Sequence, residues 1–122
     1  MVWIKVASFL MFLAVGLGAF GAHALKSKLS EYSLDVYKTA VLYHFIHALG
    51  LFVVAWLTTQ IPQGLPAARQ VNLAGIFMLA GIILFSGSLY ALSLTGVKGL
   101  GAITPIGGLS FLTAWVLLFL SF

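Results

Sequence analysis

Long uncharged stretches alternate with short charged ones along this chain. The six basic and two acidic residues are Lys5, Lys26, Lys28, Glu31, Asp35, Lys38, Arg69 and Lys98. The runs between them, 6–25, 39–68, 70–97 and 99–122, are each long enough to supply the roughly 20 apolar residues that cross a bilayer core as helix. The pattern predicts an all-α, four-helix transmembrane bundle forming one integral-membrane domain over residues 1–122, with spans at about 3–24, 37–58, 70–94 and 104–121. Between the first two spans, Leu25, Leu29, Tyr32 and Val36 recur at helical spacing among Lys26, Lys28, Glu31 and Asp35. That periodicity predicts a short amphipathic helix lying in the interface between helices 1 and 2, capped by Ser27 or Ser30. Pro62 and Pro66 mark the second connector, and the glycine-rich stretch 95–101 marks the third. Thr104-Pro105 reads as the cap and first turn of the last span.

The N-terminal stretch imitates a signal peptide, with Lys5, an apolar run and Ala22-His23-Ala24 resembling a cleavage site. The apolar run is long for such a leader, so it is read as a retained first span. Ala14, Gly18 and Ala22 recur at every fourth position in it. Small residues so spaced let membrane helices approach closely, either within the chain or as the seam of a homo-oligomer. Gly107, Ser110, Ala114 and Ser121 make a similar stripe on the last span.

Composition narrows the function classes. The chain is 62% hydrophobic and 7% charged, with a mean hydropathy of +1.17. Too few charges exist to cover a water-facing surface, so the lipid bilayer is the expected partner. The net charge of +4 reflects scarce acids. No basic cluster accompanies it, which argues against nucleic acid. The absence of cysteine rules out disulfides, thiolate nucleophiles and cysteine-ligated iron–sulfur clusters.

Following the chain back and forth places the first and third connectors on one side of the membrane. His23, Lys38, Tyr43, His44, His47, Ser86, Ser88, Tyr90, Lys98 and Thr104 then share one half of the bilayer, and the other half is nearly pure hydrocarbon. His44 and His47 are the focus, because ionisable side chains within spans are costly and mark candidate sites. Three residues apart, they fall on one helix face. Hydrogen-bonded to Ser86, Ser88, Tyr90 or backbone carbonyls, these imidazoles would glue the bundle. Lining a water-accessible cavity, they would suit a small transporter or a proton-linked carrier using His47. A metal site made with His23 lacks any carboxylate or cysteine within the spans to complete it. The same lack of Asp and Glu argues against catalysis, and no cofactor motif is present. The leading expectation is a non-enzymatic structural or accessory bundle with a polar half-pocket of His23, Tyr43, His44, His47, Ser86, Ser88 and Tyr90.

Four ordered motifs carry a family likeness. Gly18-Ala19-Phe20-Gly21-Ala22-His23, the Tyr43-to-Leu49 stretch with His47, Phe85-Ser86-Gly87-Ser88-Leu89-Tyr90, and Thr104-Pro105-Ile106-Gly107-Gly108 followed by Trp115 resemble the signature of domain-of-unknown-function family 423, the YgdD-like small inner-membrane proteins. The resemblance covers nearly the whole chain. It implies a four-helix multi-pass protein of the bacterial cytoplasmic membrane, and it implies no reaction. Members with a basic C-terminal tail imply cytoplasmic termini, whereas this chain ends in Leu120-Ser121-Phe122. The family pattern often has Gln where this chain has His44, which weakens any site that needs both imidazoles.

Overall fold

Helix α2, Glu31–Gln60, is the axis of the molecule. In the computed structural model, which describes residues 2–122, it packs against α1 (Val2–Phe20), α3 (Pro66–Gly81) and α4 (Gly87–Thr95). Its buried residues include Tyr37, Ala40, His44, His47, Leu51 and Val54. These recur at alternating spacings of three and four, the stripe that one helix face buries. The last helix, α5 (Thr104–Leu120), packs chiefly on α3. Four continuous helices, Val2–Leu25, Glu31–Gln60, Pro66–Thr95 and Lys98–Leu120, are long and apolar enough to cross a membrane. In the second and third, 44% of the most apolar window is buried, against 17% in the first and fourth, so the middle two form the centre.

The first connector differs from its expected form. No separate interfacial helix lies between helices 1 and 2. Residues 26–30 are turn, and α2 then starts at Glu31 and runs unbroken into the membrane. The reason is local. Ser30 caps the helix, its Oγ accepting the Ser33 N–H at 3.1 Å, and neither Gly nor Pro occurs again before Gly50. Once nucleated, a helix propagates at little cost, whereas five residues upstream cannot nucleate their own. Glu31, Asp35 and Lys38 therefore ride on its first turns. At 1.5 Å per residue α2 is about 45 Å long, some 15 Å more than a hydrocarbon core, so these turns stand at headgroup level.

Helix α3 begins at Pro66, at its N-terminal end. Gly96 ends α4 in the left-handed conformation, φ 72°, a geometry that costs glycine nothing. Thr104 opens α5 but does not cap it, because its hydroxyl is drawn to Ser88 instead.

Two π-helical turns interrupt the odd-numbered spans, at Gly21–Leu25 and Ile82–Ser86. Both coincide with close contacts. The Tyr37 ring lies where a side chain at Gly21 would go, and the backbone of Phe85 lies where one at Gly107 would go.

The small-residue stripe of the first span is used inside the chain. Ala14 is fully buried, and a methyl at Gly18 would touch Val41 and Phe45 of α2 at 3.4 and 3.6 Å. Ala22 is the exposed one of the three residues expected as an oligomer seam, while Ala14 and Gly18 pack against neighbouring helices of the same chain. Gly107, Ser110 and Ala114 likewise face inward. The core runs through Ala7, Leu10, Leu51, Val54, Val71, Met78 and Phe111. Phe9, Phe12, Ile76, Ile83, Leu112, Val116 and Phe119 face outward. In water this belt would drive aggregation, whereas in hydrocarbon it matches its solvent.

Candidate functional site

Cross-helix hydrogen bonds gather between the first and third connectors and the bundle's middle. Nearest the connectors, the Tyr37 hydroxyl donates to the Leu17 carbonyl and ties α2 to α1. One turn deeper, fully buried Ser86 donates to the Ala40 carbonyl at 2.8 Å. Ser88 donates to the Phe85 carbonyl at 2.9 Å and lies 2.6 Å from the Thr104 hydroxyl. A hydroxyl has one proton, so Thr104 is the donor in that pair.

His47 is held on all sides. Its Nδ1 lies 2.8 Å from the Tyr43 carbonyl, and the Trp115 indole N–H donates to its Nε2 at 3.0 Å. A carbonyl only accepts and an indole only donates. The two partners therefore fix the neutral imidazole with its proton on Nδ1. Its ring stacks on Phe111 with centroids 3.5 Å apart and planes 10° from parallel.

His44 is buried but only half satisfied. Its Nδ1 lies 2.9 Å from the Tyr90 hydroxyl, and its Nε2 has no partner. If Nδ1 donated, the Tyr90 proton and Nε2 would both go unpaired. If Tyr90 donates, a single N–H on Nε2 is left over, so the second arrangement costs less. The Leu10 carbonyl of α1 lies near this ring, outside hydrogen-bond geometry.

The structure thus separates the residues singled out from sequence. His44 turns to α4 and His47 to α5, so the two imidazoles share a helix without converging on one ligand. Ser86, Ser88 and Tyr90 join the same polar layer. Tyr43 contributes its carbonyl, while its ring lies against Phe85 at 4.5 Å and is 38% exposed toward lipid. His23 sits exposed on the first π turn, away from the other two. No group of three or more potential metal ligands occurs among the described residues. None of the five principal cavities is lined by His44 or His47.

Sequence reasoning passed over Trp115, Phe111 and Tyr37 as participants. The one available signal was the aromatic pair Phe111 and Trp115, four residues apart and able to flank one side chain.

These hydrogen-bonded positions fall largely within a region that other proteins share. Residues 17–108 match the model of a family described as "Protein of unknown function (DUF423)". The chain belongs to this family. It is 54% identical over 106 residues to the UPF0382 membrane protein YwdK of Bacillus subtilis (strain 168), covering 87% of this chain and 83% of that one. It is 46% identical over 111 residues to a UPF0382 membrane protein of Staphylococcus haemolyticus, covering 89% and 84% respectively. A Staphylococcus epidermidis relative is 47% identical over 108 residues, covering 87% and 82%. No solved structure matches. These bacterial relatives are named as membrane proteins, and this chain has four membrane-crossing helices. It is a multi-pass protein of the cell membrane, in a family whose function is unknown and whose name indicates no enzymatic activity.

Proposed function

We propose that this chain is a non-enzymatic structural or accessory bundle whose buried histidines, serines and tyrosines set the arrangement of its helices. The observation that carries this reading is His47, with both ring nitrogens engaged and its face covered by Phe111. A carrier would keep a titrating group beside water, and here indole, carbonyl and benzyl ring occupy that space. Tyr43, His44, Ser86, Ser88 and Tyr90 act with it as connectors between spans. His23, exposed at the end of span 1, has no part in the network.

The runner-up, a small transporter or proton-linked carrier, draws its support from the free Nε2 of His44. A buried imidazole with a spare nitrogen beside a tyrosine hydroxyl is a plausible relay element. Reconstitution into proteoliposomes containing a pH-sensitive dye separates the two. The bundle reading expects no proton flux above empty vesicles, and it expects His47→Gln to lower the unfolding midpoint. Proton flux abolished by His47→Gln or His44→Gln in a protein that still folds would replace it with the carrier.

A further inference from the structure

A sizeable cavity lies outside the histidine layer. It measures about 600 Å³ and is lined by Tyr32, Ser33, Leu92, Gly96, Lys98 and Gly101. Tyr32 and Ser33 belong to the part of α2 that overhangs the hydrocarbon, and Gly96, Lys98 and Gly101 to the third connector. The cavity therefore opens at headgroup depth. From this juxtaposition we infer that it is a binding site for the phosphodiester headgroup of an anionic phospholipid, held by Lys98 with the Tyr32 and Ser33 hydroxyls.

Three features support that occupant. The volume falls within the range of about 300–1,000 Å³ in which small ligands are held. The lining combines one ammonium and two hydroxyls with the apolar wall of Leu92, which suits a phosphate joined to a glycerol backbone. Glu31 and Asp35 do not line it. The ammonium of a zwitterionic headgroup thus finds no carboxylate there. A free phosphate would have to be captured from solution by one lysine in an open cavity, whereas a bilayer lipid already brings its phosphate to this depth.

The opposite end of the bundle supplies an internal control. A cavity of about 520 Å³ there has Arg69 as its one charged residue, with Gln70 and mostly apolar neighbours. It offers a cation without the hydroxyl pair.

The test uses the full-length protein in nonionic detergent and titrates short-chain phosphatidylglycerol, short-chain phosphatidylcholine and inorganic phosphate, with binding read by native mass spectrometry. Phosphatidylglycerol should bind saturably and more tightly than either comparator. Lys98→Ala should weaken it about fivefold, the worth of one lysine beside an anionic headgroup, and Lys98→Arg should retain it. Gly101→Phe tests the cavity itself, since a Cβ there meets only Leu92, at 3.9 Å, so a ring can fill the space without disturbing the bundle. It too should weaken binding, and Arg69→Ala should not. Equal binding of phosphatidylcholine, preference for inorganic phosphate, or an equal loss in Lys98→Ala and Arg69→Ala would each overturn the assignment.

Discussion

The half of the bundle beside the first and third connectors is tied together through polar atoms, and the half beside the termini through shape. In the first, Tyr37, Ser86, His44 and Ser88 each reach a neighbouring helix by a hydrogen bond. In the second, the Trp3 ring lies over Gly75 and the Met78 side chain lies against Gly50, with Ala7 and Ala74 fully buried between helices. Polar links are fewer there: the Trp3 indole N–H donates to Asn72 Oδ1 at 2.9 Å, and near the middle of the bundle the Ser110 hydroxyl donates to the Phe77 carbonyl at 2.7 Å. Glycines admit rings in both halves, and what differs is the material that fills the remaining space. In lipid, helices gain little by hiding apolar surface from one another, so close approach and interhelical hydrogen bonds must hold them. This chain uses the first means throughout and draws more of the second toward the first and third connectors.

Substitutions that attack one means at a time sharpen that contrast. The largest effect is expected from Gly107→Ala, whose new methyl overlaps the Phe85 backbone, which cannot swing aside. It should cost about 3 kcal/mol in a denaturant titration of the detergent-solubilised protein, at the upper end for overpacking. Gly75→Ala, in the terminal half, meets the half-buried ring of Trp3. A side chain can move where backbone cannot, so the same titration should show about 1 kcal/mol. Trp115→Phe keeps the ring but removes the donor to His47 Nε2, and should cost about 1 kcal/mol, within the range measured for membrane hydrogen bonds. Ser86→Ala, which deletes one bond to a carbonyl, should cost about 0.6 kcal/mol. Gly16→Ala is the reference: nothing lies within 4 Å of the new methyl, and restricting the unfolded chain should stabilise by about 0.5 kcal/mol. If Ser86→Ala and Trp115→Phe prove harmless while both packing variants are damaging, hydrogen bonds do not distinguish the two halves.

The architecture was legible because hydrocarbon demands a coarse signal. Uncharged runs of sufficient length can be nothing but spans, and their number and order followed directly. The grouping of His44, Ser86, Ser88 and Tyr90 toward the first and third connectors followed from counting crossings. The partners did not. Whether His47 meets Ser86 or Trp115 depends on how α2 is rotated against α5, and an evenly apolar sequence leaves that rotation unmarked. The divergence of His44 from His47 was hidden for a related reason: three residues leave side chains about 60° apart around a helix, close enough to share a face yet enough to aim them at different neighbouring helices. The first connector misled because the spacing of Leu25, Leu29, Tyr32 and Val36 is helical on either reading. Ser30 decides where the helix begins, and it was one of two capping serines.

The central claim is that the polar layer is dry and filled by its own side chains. Because the chain contains no cysteine, a single engineered thiol reports on its own surroundings. Ser86→Cys places it at a fully buried position, and Ser27→Cys places it on the exposed first connector at the same side of the membrane. Both are exposed to a membrane-impermeant thiol reagent in proteoliposomes, and the labelling rates are compared. The account predicts rapid labelling at position 27 and none above background at position 86. Labelling of position 86 at a rate near that of position 27 would mean that water reaches the layer, and would contradict it.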